Sequence, residues 1–211
     1  MDKRKLEENF FKVLMIASTF IVVGSLLAVL ALVIFKGAPA LSLSMVTQTP
    51  QGGYYLGKGG GVLNAIVGSL YMAGGATTIA FVISLPTALY LNEYAKRSKL
   101  ASLTRQALDV LWGVPSIIYG VFGYTIMIYL GMRASLLGGM MALTLLELPI
   151  MIRAMDEVIK IVPLKLKESS YALGATRLET VLKVVSRQAL PGILTAVLLA
   201  FGRGIGDAAS V

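Results

Sequence analysis

The feature that most limits what this chain can become is where charge is missing. No Asp, Glu, Lys or Arg occurs in residues 59–92, a run of 34, nor in 13–35, nor in 110–132. About 18 apolar residues wound as a helix are enough to cross the ~30 Å hydrocarbon core of a bilayer. Charged residues make up 14% of the chain, against about 25% in soluble domains, and the mean hydropathy is +0.79. An ordinary soluble domain is excluded, and so is a disordered chain.

Segments in lipid must satisfy their own backbone hydrogen bonds, which leaves helices or closed barrels. The strict alternation of a membrane barrel is absent, so the expected fold is all-α, a polytopic bundle of membrane helices. Five spans are predicted: 13–35, 62–91, 107–131, 134–152 interrupted by Glu147 and Pro149, and 189–209 interrupted by Arg203 and Asp207. Residues 1–12 form a tail, 36–61 an external loop with seven glycines, and 62–211 the core. That core includes a connection at about 156–188 in which charge and apolar residues mix.

Lys3, Arg4 and Lys5 before an apolar run, with Ala38-Pro39-Ala40 after it, resemble a signal peptide. The run of 23 residues exceeds the roughly 7–15 of a signal core, so a retained helix is expected. Basic residues mark the cytoplasmic side of membrane proteins. The tail, the loop at 92–106 and the segment 153–188 hold 15 of the 19 Lys and Arg, and the opposite side holds 3. The N-terminus is therefore expected in the cytoplasm. The net charge of +8 is spent on topology, which argues against a nucleic-acid surface. Five spans leave the C-terminus outside. With no charge or interfacial aromatic after Asp207, the end reads as though a later span were missing.

Other chemistry is excluded by composition. There is no Cys and no His, hence no thiolate metal site, imidazole base or zinc motif. Residues 52–58 fit G-x-x-x-x-G-K, but Gly59 stands where a phosphate-binding loop needs Ser or Thr, and no strand precedes it. No nucleotide site and no cofactor are expected in this chain.

The cytoplasmic segment carries the mechanical signal. Pro163 opens a short helix at 164–173 that Gly174 closes, as Pro and Gly do at helix ends. Leu178, Val181, Leu182 and Val185 then fall at i, i+3, i+4 and i+7, one apolar stripe. Two helices with a glycine corner can form a protrusion that passes force between a soluble partner and the spans. Composition alone equally allows an amphipathic helix on the lipid surface.

Glu168-Ser169-Ser170-Tyr171-Ala172-Leu173-Gly174, followed by Leu190-Pro191, resembles the E-A-A-x-x-x-G loop of ABC importer permeases, with serines replacing both alanines. Further segments resemble the phosphate importer permeases, of PstA type. They are Gly113-Val114-Pro115-Ser116-Ile117-Ile118-Tyr119-Gly120, Asn64-Ala65-Ile66-Val67-Gly68-Ser69-Leu70, Tyr90-Leu91-Asn92-Glu93-Tyr94-Ala95 and Gly202-Arg203-Gly204-Ile205-Gly206-Asp207. The resemblance runs from about 60 to 209 and implies a MetI-like permease fold. It implies that 168–174 docks into an ATPase subunit, most simply one of a dimer. It also implies a second, PstC-like permease subunit and an extracytoplasmic phosphate-binding protein. The location would be a prokaryotic cytoplasmic membrane. The chain itself would be a permease, not an enzyme, with ATP hydrolysed by the partner.

Ionisable groups inside spans are costly and tend to be functional. Arg203 and Asp207 lie four apart on one helix face and pair either to lock helices or to hold the Arg for a passing oxyanion, which a guanidinium binds bidentately. The resemblance favours the second reading. Arg153 is either the inner part of the anion path or a snorkelling basic residue. Asp109 is expected to pair with Arg105, Glu147 to be a hydrogen-bonded interhelical group or gate, and Pro86, Pro115 and Pro149 to kink their spans. The competing readings are transport of sulfate, molybdate or another oxyanion, and a scaffold without transport.

Overall fold

The structure, a computed structural model, describes residues 3–51, 60–96, 98–133 and 135–207. The segments 52–58 and 208–211 noted above lie outside the described residues. Every regular element among those described is helical. The chain divides into two compact units, 1–64 and 65–211.

The first unit is built on helix α1 (Lys3–Gly37), 35 residues long. It contains the expected span and continues past it at both ends. Its large apolar side chains, such as Phe20, Leu27 and Phe35, are exposed. A helix that is apolar all round suits hydrocarbon rather than water. A 3-10 turn (Ala38–Ala40) and a short helix α2 (Leu43–Thr47), capped by Ser42, follow. The chain returns beside α2 through Val62 N–H to Met45 O (2.7 Å) and Leu63 N–H to Gln48 O (3.2 Å).

The second unit holds most of helix α3 (Leu63–Glu93), then α4 (Lys99–Trp112), α5 (Ser116–Tyr129) and α6 (Leu136–Lys160). The expected single span at 107–131 is replaced by α4 and α5, bent by 103°. The bend falls at Gly113-Val114-Pro115. The proline ring drives the residue before it out of helical geometry, and Pro115 caps α5 in an extended conformation. Tyr119 ties the corner by donating its hydroxyl to the carbonyl of Leu111 (2.8 Å), which also accepts from Val114 N–H (3.1 Å). Of the three kinks expected at prolines, this is the one that breaks a helix. Pro86 lies inside α3, and α6 runs unbroken through Glu147 and Pro149. A proline removes one backbone bond, and in a water-free surrounding the remaining bonds hold the helix.

The last span begins earlier than predicted. Following helix α7 (Leu164–Ala172), a helix starts at Arg177 as α8 (Arg177–Glu179), widens to a π-helical stretch at Thr180–Val185, and continues as α9 (Ser186–Gly206). Ser186 marks the wide turn by donating its hydroxyl to the carbonyl of Val181, five residues back (2.8 Å). This overturns the expected apolar stripe. Val181 and Val185 are buried, whereas Leu178 and Leu182 are exposed, because a wider turn moves i+4 onto the face that i+3 would hold. With α6 reaching Lys160 and α8 starting at Arg177, the connection expected at 156–188 narrows to 161–176.

Helix α6 is central and packs against α4, α5 and α9. Small residues let backbones approach closely where no hydrophobic force separates protein from lipid. Ala73, Ala76, Ala80 and Ala88 of α3, and Ala189, Ala196, Ala200 and Gly204 of α9, are buried in this way. Leu143, Met151, Met155 and Ile159 of α6 fill the space between them.

Candidate functional site

Three groups of residues stand out: the hairpin 164–179, an ion-pair cluster where α3, α4 and α6 meet, and Arg203 in a cleft.

The hairpin follows from its caps. At the end of α7, Gly174 takes φ +82°, a left-handed conformation open to glycine. Leu173 N–H then bonds Ser169 O (3.2 Å), and Ala175 N–H reaches Ser170 O (3.2 Å), closing the helix end as a Schellman-type turn does. Two residues on, Thr176 and Glu179 form a capping box. Ser170 and Thr180, both buried, join their hydroxyls at 2.9 Å and hold the two arms together. Of the residues expected to dock an ATPase, Ser170 is thus turned inward. Glu168, Ser169, Tyr171, Ala172, Leu173 and Gly174 are exposed, Leu173 at 88%. An apolar side chain so placed at a hairpin tip is fit for a partner's groove.

The cluster was only partly foreseen. Asp156 of α6 is fully buried and accepts from Asn92 of α3 (2.8 Å), Arg105 of α4 (3.0 Å), Arg153 (3.0 Å) and Lys160 (2.7 Å). Arg105 also donates to the carbonyl of Leu91 (3.1 Å). The expected Asp109–Arg105 pair does not form. Asp109 binds Arg153 instead (2.6 Å), because the folded chain offers Arg105 a buried carboxylate that sequence proximity does not. Arg153 is also bonded to Glu157 (2.8 Å). Asp109, Asp156 and Glu157 all bond the Arg153 guanidinium, so in this structure it is engaged in ion pairs at the end of the bundle. The sequence signal for Asp156 was its spacing, three after Arg153 and four before Lys160. Its partners on α3 and α4 are 64 and 51 residues away and had no local signal.

Arg203 lies one turn from the end of α9. Its Nε is 3.8 Å from Asp207 Oδ2, while its side chain remains 57% exposed and that of Asp207 is buried. It lines a cleft of about 290 Å³ with Leu111, Trp112, Val114, Leu146, Ile150 and Leu199. Two segments far apart in sequence, the G-V-P-S corner and the G-R-G-I-G-D helix end, therefore face one space. Next to Arg203, Gly204 packs against Glu147, so closely that a Cβ there would collide with Glu147 Oε1. Glu147 is fully buried. Neither its carboxylate nor Thr77 of α3, the polar side chain beside it, makes a hydrogen bond of normal geometry. It lies between helices and borders α9 beside the candidate arginine, without the normal hydrogen bond expected for it.

With this geometry in hand, known proteins give a consistent picture. Residues 80–211 match the family described as binding-protein-dependent transport system inner membrane component. The chain is similar to the phosphate transport system permease protein PstA of Haemophilus influenzae, 38% identical over 182 residues, covering 86% of this chain and 63% of that protein. It is 40% identical over 153 residues to PstA 1 of Mycobacterium tuberculosis (strain CDC 1551 / Oshkosh), covering 72% and 50%. To PstA of Yersinia pestis it is 35% identical over 207 residues, covering 98% and 69%. The chain thus spans about half to two thirds of the length of these relatives. A solved chain of the inward-facing MetNI methionine ABC transporter superposes with a TM-score of 0.64 at 25% identity, over 71% of this chain and 72% of that one. The all-α bundle is therefore of the ABC permease type, and the chain belongs to the binding-protein-dependent transport system inner membrane component family.

Proposed function

We propose that this chain is a permease subunit of an ATP-driven importer of inorganic phosphate in a prokaryotic cytoplasmic membrane, with its N-terminus in the cytoplasm. The observation that carries the reading is the cleft in which a half-exposed Arg203 faces the corner at Val114. The relatives named phosphate permeases supply the cargo.

Arg203 offers a planar set of donors that matches a phosphate oxyanion bidentately. Asp207, buried at the helix end, orients it. Hydrolysis belongs to a separate ATPase subunit that docks on the exposed residues among 168–174. A second, PstC-like permease subunit completes the pore, and an extracytoplasmic binding protein delivers phosphate. Arg153 shapes the inner end of the bundle by joining α4 to α6 through Asp109 and Asp156.

The test is uptake of labelled phosphate by the full-length chain, assembled with its ATPase and second permease in vesicles. Arg203→Ala should lower uptake more than ten-fold while the complex still assembles, and Arg203→Lys should recover only part of it. Wild-type uptake by Arg203→Ala would remove this residue from the mechanism. Stronger competition by sulfate or molybdate than by phosphate would change the cargo, and assembly without an ATPase would leave a scaffold.

A further inference from the structure

The cytoplasmic end of α3 carries polar residues for which the anion path has no use. Glu93, 7% exposed, forms an ion pair with Lys167 of α7, itself 12% exposed. Arg177 of α8 donates to the backbone carbonyl of the same Glu93, and its guanidinium stands 4.6 Å over the ring of Tyr94. Both arms of the hairpin thus hold one residue, one arm by its side chain and the other by its backbone. The preceding residues face the other way. Asn92 bonds Asp156 of α6 and Leu91 accepts from Arg105 of α4. Four consecutive residues, 91–94, join the hairpin to three helices of the bundle.

A buried ion pair is not required for stability, since apolar side chains of similar size serve as well or better. What it adds is a short, directional link that cannot slide. Without it α7 would be held by its connecting segments, 161–163 and 173–176, and by the Ser170–Thr180 contact, and a push at the hairpin tip would bend those first. We infer that Glu93 is a positioning residue that fixes the docking hairpin to α3, so that movement of the hairpin carries α3, α4 and α6 as one body. This deepens the proposed function and rests on the reading of the hairpin as an ATPase-docking element.

The decisive variant is Glu93→Gln combined with Lys167→Met in the full-length assembled transporter. It removes both charges, so no unpaired charge is left buried to unfold the chain. Phosphate uptake per ATP hydrolysed should fall at least ten-fold while ATP hydrolysis continues, and Glu93→Asp, which keeps the charge, should retain more coupling than the double variant. A merely structural pair predicts the opposite, wild-type coupling in the double variant, and that result would overturn the inference. A second readout does not depend on the cargo. The chain has no cysteine, so spin labels at Lys96→Cys and at Lys165→Cys, an exposed position of α7 outside 168–174, report the distance between the α3 end and the hairpin. That distance should stay single and narrow when the ATPase subunit docks, and should broaden in the double variant. Equal widths in both would overturn the joint. A wild-type complex that hydrolyses ATP without accumulating phosphate would instead refute the proposed cargo and leave the distance test standing.

Discussion

Asp156 offers the sharpest test of how α3, α4 and α6 are held together where they meet. Its carboxylate is fully buried and serves Asn92 and three cations. Asp156→Ala leaves those partners in place without their acceptor. Removing one member of a buried pair typically costs about 3–5 kcal/mol, because the other charge stays desolvated. The partners here are unequal. Arg153 keeps Asp109 and Glu157, and Lys160 keeps Glu157. Arg105, 18% exposed, keeps the carbonyl of Leu91. One cation rather than three is stranded, so the expected loss is at the lower end, about 3 kcal/mol. At 1.4 kcal/mol per factor of ten, this is roughly a 100-fold rise in the unfolding constant. Denaturant unfolding in detergent micelles or nanodiscs measures it. Glu157→Ala is the control, since Glu157 is 57% exposed and exposed pairs are worth about 0–1 kcal/mol. A loss below about 1 kcal/mol for Asp156→Ala would show that water reaches the cluster and would refute the reasoning.

Two glycines give further tests. Gly204→Ala places a methyl group against Glu147 Oε1, and overpacking of this kind should cost about 1–3 kcal/mol. Thermal unfolding would read the loss, which should shrink when Glu147→Ala is added, and independent losses would separate the two sites. Gly174→Ala meets no neighbour but must hold φ at +82°, so it should destabilise the hairpin by about 1–2 kcal/mol without disturbing the bundle. Weaker co-purification of the ATPase with normal melting of the membrane core is the expected outcome, and unchanged ATPase binding would mean that the corner tolerates a side chain.

The long charge-free runs and the helix ends marked by Pro163 and Gly174 are local signals, and they account for what the sequence could show. Hydrocarbon demands uninterrupted apolar helices of a minimum length. A left-handed corner demands glycine. Those needs are met by neighbours in sequence, so the all-helical class, most spans and the hairpin were legible from residues alone. Pro115 was expected only to kink a single span at 107–131, and the break into two helices is held by Tyr119 reaching Leu111 across the corner.

What only the tertiary structure decided is which charges meet. Arg105 and Asp109 are four apart and could pair on an isolated helix. In the bundle a buried carboxylate on α6 outcompetes that contact for Arg105, and Arg153 captures Asp109. The same holds for Glu93, which finds Lys167 at a distance of 74 residues, and for Arg203, which shares its cleft with Trp112 and Val114. Hydropathy and capping are properties of a few adjacent residues. Electrostatic pairing is settled by burial and proximity in three dimensions, where the partner that remains least hydrated makes the strongest claim on a charge.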